Sequence, residues 1–273
     1  MRVSPLRSSV RALLFLLANA ILIPAYAACL GPARPWRRPI QILWCRIVCR
    51  LAGLQVRIIG APHRDGPTLY VSNHISYLDI PVLSRYLDGA YVAKSEVGRW
   101  PLFGTIARLT GSIFVSRRAG EARAQRERIR AHLGAGGNIV LFPEGTSTDG
   151  SGVAPFKAAL FDIAGGGSAA GNARIGAVVQ PISLAYTRSL DGRPLTGRHR
   201  DLYCWYGDAM LLPHLFRVLG LRGAEVELRC HPIVSPDRFA DRKALARHCE
   251  EQVAAGVADS HKGVAPRLEA AAE

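Results

Sequence analysis

Two short stretches hold the residue types that acid–base chemistry needs. The first is Asn73-His74-Ile75-Ser76-Tyr77-Leu78-Asp79, directly after the apolar run Thr68-Leu69-Tyr70-Val71-Ser72. If the chain turns into a helix here, the Asp79 carboxylate folds back toward the His74 imidazole. An Asp bonded to one ring nitrogen fixes the tautomer and stabilises the imidazolium; the other nitrogen is then a general base for a hydroxyl. Such a base contributes about 10²–10⁴-fold to a rate. Taken alone, the H-x4-D spacing is a weak signal, equally suited to a turn histidine and a solvated helix charge. Ser76 and Tyr77 between them read as helix-start and packing residues. A metal site fits poorly, because no second histidine lies at ligand spacing and no H-E-x-x-H occurs.

The second stretch is Phe142-Pro143-Glu144-Gly145-Thr146, directly after Asn138-Ile139-Val140-Leu141. Stiff backbone at Pro143 aims the glutamate, and Gly145 permits a close backbone approach beyond it. An ordinary strand-exit turn explains the Pro and the Gly but not the Glu between them.

Both stretches need a frame, and the chain alternates between short β-like runs and helical ones. LQVRIIG, TLYVSN, AYVAK, GSIFV, NIVLFPEG, VVQPISLAY and EVELRCHPIV read as strands. LDIPVLSRYL, RWPLFGTIARL, EARAQRERIRAHL, LLPHLFRVLG and RFADRKALARHCEEQVAAGVAD read as helices. In the third of these, Ile129 and Leu133 mark one apolar face among arginines, hence an exposed amphipathic helix. The glycines of GGGSAAGN at 165–172 require a loop. Alternation of this kind predicts an α/β domain with a mixed, partly parallel sheet flanked by helices. In such sheets, sites gather where strands end.

The first fifty residues point to a membrane. Arg2, Arg7 and Arg11 lead into an uncharged run from Ala12 to Leu30. As a helix it reaches about 28 Å, close to a bilayer core of roughly 30 Å. Asn19 and Pro24 spoil a clean span. After Arg34, Arg37 and Arg38, a second apolar stretch places Trp44, Ile47, Val48 and Leu51 at helical spacing, with Arg46 and Arg50 on another face. Two such helices form an N-terminal membrane anchor, a hairpin lying in one leaflet. The competing reading is a secretory signal peptide cleaved after Ala25-Tyr26-Ala27; the long apolar run and the second apolar helix weigh against it.

Composition sets wider bounds. With 273 residues, 49% hydrophobic and 21% charged, the chain is no disordered protein. The formal charge of +14 favours anionic partners. The arginines are spread along the chain, with no basic run or aromatic–basic interleaving, so nucleic acid is not the expected partner. The six cysteines show no C-x-x-C and no zinc-finger spacing. Cys45 and Cys49 suit one buried helix face, as small hydrophobes in a reducing compartment.

The two chemical stretches together are far more specific than either. NHxxxxD followed some seventy residues later by FPEGT resembles the glycerolipid acyltransferase family of the lysophosphatidate-acyltransferase type. Ala93-Lys94-Ser95-Glu96 with Trp100-Pro101 and Gly104 is similar to the stretch before the family's second motif. Gly111-Ser112-Ile113-Phe114-Val115-Ser116-Arg117 resembles that motif, and Val179-Gln180-Pro181-Ile182-Ser183 the fourth. The resemblance covers roughly residues 54–190.

The resemblance implies acyl transfer from acyl-CoA or acyl-carrier protein to a hydroxyl on a lysolipid. His74 would be the general base and Asp79 would orient it. The hydroxyl would attack the thioester directly; the absence of a G-x-S-x-G elbow agrees. Glu144, Gly145 and Thr146 would shape the acceptor site. Lys94 and Arg117, or its neighbour Arg118, would hold anionic groups. No metal and no bound organic cofactor is required, and the donor is a substrate. The expected partners are membrane lipids, the donor and the lysolipid, on the cytoplasmic face of the cell membrane, where acyl donors are made.

One departure bears on the acceptor. The family commonly continues FPEGT with Arg, whereas Ser147 follows here. A missing guanidinium removes a bidentate phosphate contact. Lysophosphatidate is the first expectation, and lyso-ornithine lipid, which has no phosphate, a close second. Trp205-Tyr206-Gly207-Asp208 through Leu211-Leu212-Pro213-His214 is similar to the lyso-ornithine group, less specifically. A non-catalytic membrane-binding protein would explain the anchor and the charge but not the paired motifs. The expected organisation is a hairpin over residues 1–53 and an acyltransferase domain over 54–273, divided into a motif-bearing core, 54–190, and a C-terminal extension, 191–273.

Overall fold

A computed structural model describes residues 2–30, 33–116, 119–164 and 176–263. Two helices, α1 (Pro5–Ala28) and α2 (Arg37–Leu51), lead into strands β1 (Leu54–Ile59) and β2 (Thr68–Ser72). There follow α3 (Asp79–Ser84), β3 (Ala90–Lys94), α4 (Phe103–Leu109), β4 (Ile113–Val115), α5 (Ala122–Gly134) and β5 (Ile139–Leu141). The chain closes with β6 (Val178–Ser189), α6 (Leu211–Gly220), β7 (Ala224–Cys230) and α7 (Arg242–Lys262). The expected loop at 165–172 lies outside the described residues.

All seven strand runs form one sheet in the order β1-β7-β6-β2-β5-β3-β4. Every pairing is parallel except β6 with β7. The expected mixed, partly parallel sheet is therefore what forms. β2 is buried at every position because it lies between β5 and β6 with cover on both faces. Its side chains alternate between two cores. Tyr70 joins Cys49, Val82, Leu83 and Val218 from α2, α3 and α6. Leu69 and Val71 join Ile129, Leu133, Cys249 and Val253 from α5 and α7. The result is three layers, helix–sheet–helix.

Several boundaries differ from the sequence reading, each for a local reason. The run RWPLFGTIARL is not one helix. A 3₁₀ turn covers Ser95–Arg99, and α4 starts only at Phe103. Between them Leu102 takes φ +62°, which no helix tolerates. The strand run NIVLFPEG stops at Leu141, because Phe142 to Gly145 form a turn closed by the Gly145 N–H on the Phe142 carbonyl, 3.0 Å. The last helix starts at Arg242 because Asp241 caps it, accepting from the N–H groups of Lys243 and Ala244 at 2.8 Å.

The first helix starts earlier than expected, so Arg7 and Arg11 lie inside α1 rather than before it. Their guanidiniums reach the end of α6, where helix carbonyls lose their intrahelical partners. Arg7 donates to the Gly220 carbonyl at 3.2 Å. Arg11 donates to Leu219 and Leu221 carbonyls at 3.2 and 2.8 Å. Cationic groups there also complement the helix dipole. Ser8 packs on Gly220, where any side chain would collide with its hydroxyl. Asn19, buried, donates to the Phe15 carbonyl and accepts from the Trp44 indole at 3.0 Å, which ties α1 to α2. These are the contacts of a helix built into the fold, and Ala25-Tyr26-Ala27 lies within it.

α1 is long and apolar enough to cross a membrane by length and composition. Pro24 stays inside it, and Leu6, Val10, Leu13, Leu17 and Ile21 are exposed. On α2 the buried face carries Cys45 and Cys49. Burial pushes their thiols up to about 12 and about 11, so both are inert. All six cysteines are free. The clasp between α1 and α6 makes a prediction. Arg11→Met removes two charge-assisted bonds and lowers stability by about 2 kcal/mol, read as a fall in the denaturant midpoint in micelles. An unchanged midpoint would mean that water satisfies those carbonyls equally well.

Candidate active site

Sheet order alone assembles the site. β2, β5, β3 and β4 are neighbours and all parallel, so their carboxyl ends share one edge. His74 follows β2, Glu144 follows β5, Lys94 ends β3, and Ser116 follows β4. At about 4.8 Å per strand, Lys94 stands about 10 Å along this row from the line of β2. A long, extended substrate fits a row of this kind.

The hinge at the end of β2 depends on Asn73. Its side chain, inserted beside β6, donates to the Leu184 carbonyl at 2.9 Å and accepts from the Leu184 N–H at 2.8 Å. It thus replaces one rung of the ladder where β2 leaves the sheet. The chain then turns, and Asp79 opens α3 fully buried. One Asp79 oxygen accepts from the His74 ring Nδ1 at 2.8 Å and from the N–H groups of Ile75 and Ser76 at 2.8 and 2.9 Å. The other accepts from the Tyr186 hydroxyl at 3.3 Å. Four donors satisfy a buried carboxylate that would otherwise be costly. With the Nδ1 proton held by Asp79, Nε2 carries the free lone pair. The imidazole also stacks on Phe142, centroids 4.0 Å apart and planes at 16°. Ring, carboxylate and stack together lock the imidazole in place.

Glu144 is 3% exposed, and it does not point at the His74 ring nitrogens. One oxygen accepts from the His74 backbone N–H at 2.7 Å, the other from Ala154 at 2.9 Å. Glu144 is therefore a clamp that holds the histidine loop against the loop after β5. Thr148 adds to the clamp, its N–H donating to the His74 carbonyl at 2.9 Å. Burial pushes the Glu144 carboxyl up to about 7, against the lowering effect of its two backbone donors and of His74. Gly145 has φ +70°, and a side chain there would run into the Lys157 ammonium. Lys157 therefore stands over the turn, a cation that the sequence reading did not single out.

An aromatic wall borders the other side. Trp205 donates its backbone N–H to the Ile75 carbonyl at 2.8 Å. Its ring meets Tyr77 and Trp100 edge-on at 5.8 and 5.9 Å. The Tyr77 hydroxyl pairs with His214 Nδ1 at 3.0 Å, and burial holds His214 down to about 4. The Ser147 hydroxyl donates to the Trp205 carbonyl. Ser147 is therefore used to seat this wall.

Of the expected site residues, the structure brings His74, Asp79, Glu144 and Gly145 together. Thr146 lies exposed on the same turn, and Lys94 is exposed at the same sheet edge. Arg117, with Arg118, lies outside the described residues. Sequence reasoning missed Tyr186, Trp205 and Lys157 as neighbours of the site; they lie 107, 131 and 83 positions beyond Asp79 or His74, and no local pattern joins them. The raised Glu144 carboxyl has a consequence for stability. The folded chain binds its proton more tightly than the unfolded one, so the Glu144 contribution to stability falls as pH rises from the ordinary 4.5 to about 7. His214 and His231, held down to about 4 by burial, act in the opposite direction over the same range, so the difference between two chains isolates Glu144. Thermal melts should show Glu144→Gln gaining on the wild type as pH rises from 4.5 to about 7. A constant difference would refute the shift.

Comparison with known proteins gives the family. Residues 54–185 match the family described as Acyltransferase, a stretch that contains His74, Asp79 and Glu144. The chain is 37% identical to the lyso-ornithine lipid O-acyltransferase of Rhizobium meliloti, over 92% of this chain and 86% of that one. It is 42% identical to the protein of the same name from Brucella abortus, over 86% and 87%. It is 29% identical to the 1-acyl-sn-glycerol-3-phosphate acyltransferase of Neisseria gonorrhoeae, over 77% and 78%. The crystal structure of the LPA acyltransferase PlsC from Thermotoga maritima shares the fold, with a TM-score of 0.59 over 92% of this chain and 97% of that one, at 21% identity. These likenesses run through both the histidine loop and the glutamate turn, and the chain belongs to the acyltransferase family, as an enzyme of the lysolipid-acylating type.

Proposed function

We propose that the enzyme transfers a fatty acyl group from acyl-CoA or acyl-carrier protein to the free hydroxyl of lyso-ornithine lipid, at the cytoplasmic face of the membrane. The observation that carries the choice of acceptor is the gradient of similarity. Relatives named for lyso-ornithine lipid are 37% and 42% identical over most of both chains, against 29% for the glycerol-phosphate relative. Ser147 supports it. Where the family commonly has Arg, this serine is bonded to the Trp205 carbonyl, and the turn offers no guanidinium at that position to a phosphate. An ornithine headgroup presents a carboxylate and an ammonium instead. Lysophosphatidate, the first expectation from the motifs alone, becomes the second reading.

In the proposed mechanism His74 Nε2 takes the proton of the acceptor hydroxyl as the oxygen attacks the thioester carbonyl. Asp79 keeps the other ring nitrogen protonated and balances the imidazolium. The tetrahedral intermediate collapses, the C–S bond breaks, and the imidazolium returns its proton to the leaving thiolate. No acyl-enzyme forms. Glu144 acts on this reaction by positioning the His74 backbone, and the exposed Lys94 and Lys157 are available to anionic groups of donor or headgroup.

His74→Ala should lower kcat about 10³-fold, and Asp79→Asn by a comparable factor through the wrong tautomer, with membrane association unchanged. Activity retained within tenfold in either variant would remove the general-base role. Membranes supplied with lyso-ornithine lipid and lysophosphatidate side by side, with labelled acyl-CoA or acyl-carrier protein, should acylate the former at least tenfold faster. A preference for lysophosphatidate would overturn the acceptor while leaving the chemistry intact.

A further inference from the structure

We propose that a cavity between the start of α1, the turn after β6 and the turn after α6 binds the phosphate of an anionic phospholipid headgroup and so seats the enzyme on its membrane. The cavity measures about 580 Å³, within the usual range for ligand sites, and is lined by Arg2, Ser4, Arg7, Asp191, Arg193 and Arg222. Four guanidiniums face one carboxylate there, a local excess of three positive charges. Asp191 is held ionised, first by the Ser189 hydroxyl and then by Arg193 and Arg222, so it offsets only one of them. Its nearest guanidinium, Arg193, stands 4.0 Å away. Arg7 spends one N–H on the Gly220 carbonyl, and a guanidinium has five. No acidic residue lies in the first turn of α1 to add a second negative charge.

The setting selects the source of the phosphate. α1, whose start lines the cavity, presents large apolar side chains to solvent. Leu6, beside Arg7, is 77% exposed, and Val10 and Leu13 follow it. Apolar side chains that enter the acyl region, next to guanidiniums at headgroup level, are the arrangement of a protein lying in an anionic interface. The cavity is distinct from the catalytic pair. Along α6, His214 touches Tyr77 beside the site, and Gly220, which accepts from the cavity residue Arg7, lies six residues, or about 9 Å, further on. A headgroup held here leaves the row of strand ends free for substrate.

The test is flotation of the full chain with vesicles of phosphatidylcholine alone or mixed with phosphatidylglycerol. The double variant Arg193→Gln/Arg222→Gln should bind the mixed vesicles about tenfold more weakly than the wild type. Its binding to pure phosphatidylcholine, its melting temperature and its turnover of detergent-dispersed substrate should be unchanged. Arg123→Gln/Arg128→Gln, on the exposed face of α5, removes the same charge from elsewhere and should keep wild-type binding. An equal loss in that control would assign binding to diffuse charge and overturn the proposal, as would an unaffected Arg193/Arg222 variant. One further outcome would place a soluble phosphate in the cavity and also overturn it, a raised KM for acyl-CoA in the double variant with vesicle binding intact.

Discussion

The buried carboxylate of Asp79 is the constraint around which the active end of this protein is arranged. A carboxylate without solvent must be met by donors or give up its charge. Here two consecutive backbone N–H groups, an imidazole and a phenol meet it. To supply those backbone donors, residues 75 and 76 must turn back over the start of α3. That turn is possible only because Asn73 closes the ladder behind it against Leu184. One set of hydrogen bonds thus ends a strand, starts a helix and orients the His74 imidazole.

The second support comes from the neighbouring strand. Glu144 spends both oxygens on backbone groups of two loops, His74 on one side and Ala154 on the other. The stack of the imidazole on Phe142 comes from the same turn. A parallel arrangement of β2 and β5 makes this geometry available, because it brings both loops off the same edge. The motif glutamate is thus a structural partner of His74, and its high carboxyl value reflects the dry position that such a clamp requires.

The apolar first helix is joined to this centre by α6. Its first turn abuts the aromatic wall through His214 and Tyr77, and its last carbonyls are held by Arg7 and Arg11 of α1. α1 therefore has two faces, a polar edge that completes the fold and an apolar one that faces outward. A helix hydrophobic enough to span a bilayer is here also a structural element of the domain.

By itself the sequence determined the seven strands and most of the flanking helices, because period and turn residues are local signals. It singled out His74 with Asp79 only through the joint occurrence of NHxxxxD and FPEGT, since a five-residue separation alone suits a turn histidine and a solvated helix charge equally well. It also marked Cys45 and Cys49 as one buried face. Tertiary structure alone decided what touches these elements. Strand order set β2 beside β5 and so placed Glu144 behind the histidine. It carried Tyr186 and Trp205, more than a hundred residues away, to Asp79 and Ile75. The start of α4 moved because Leu102 adopts a conformation that propensity does not foresee. The arginines, read along the chain as diffuse charge, converge from residues 2, 7, 193 and 222 on one cavity. Charge clustering in space depends on which segments pack together, and packing is a long-range property that no window of sequence contains.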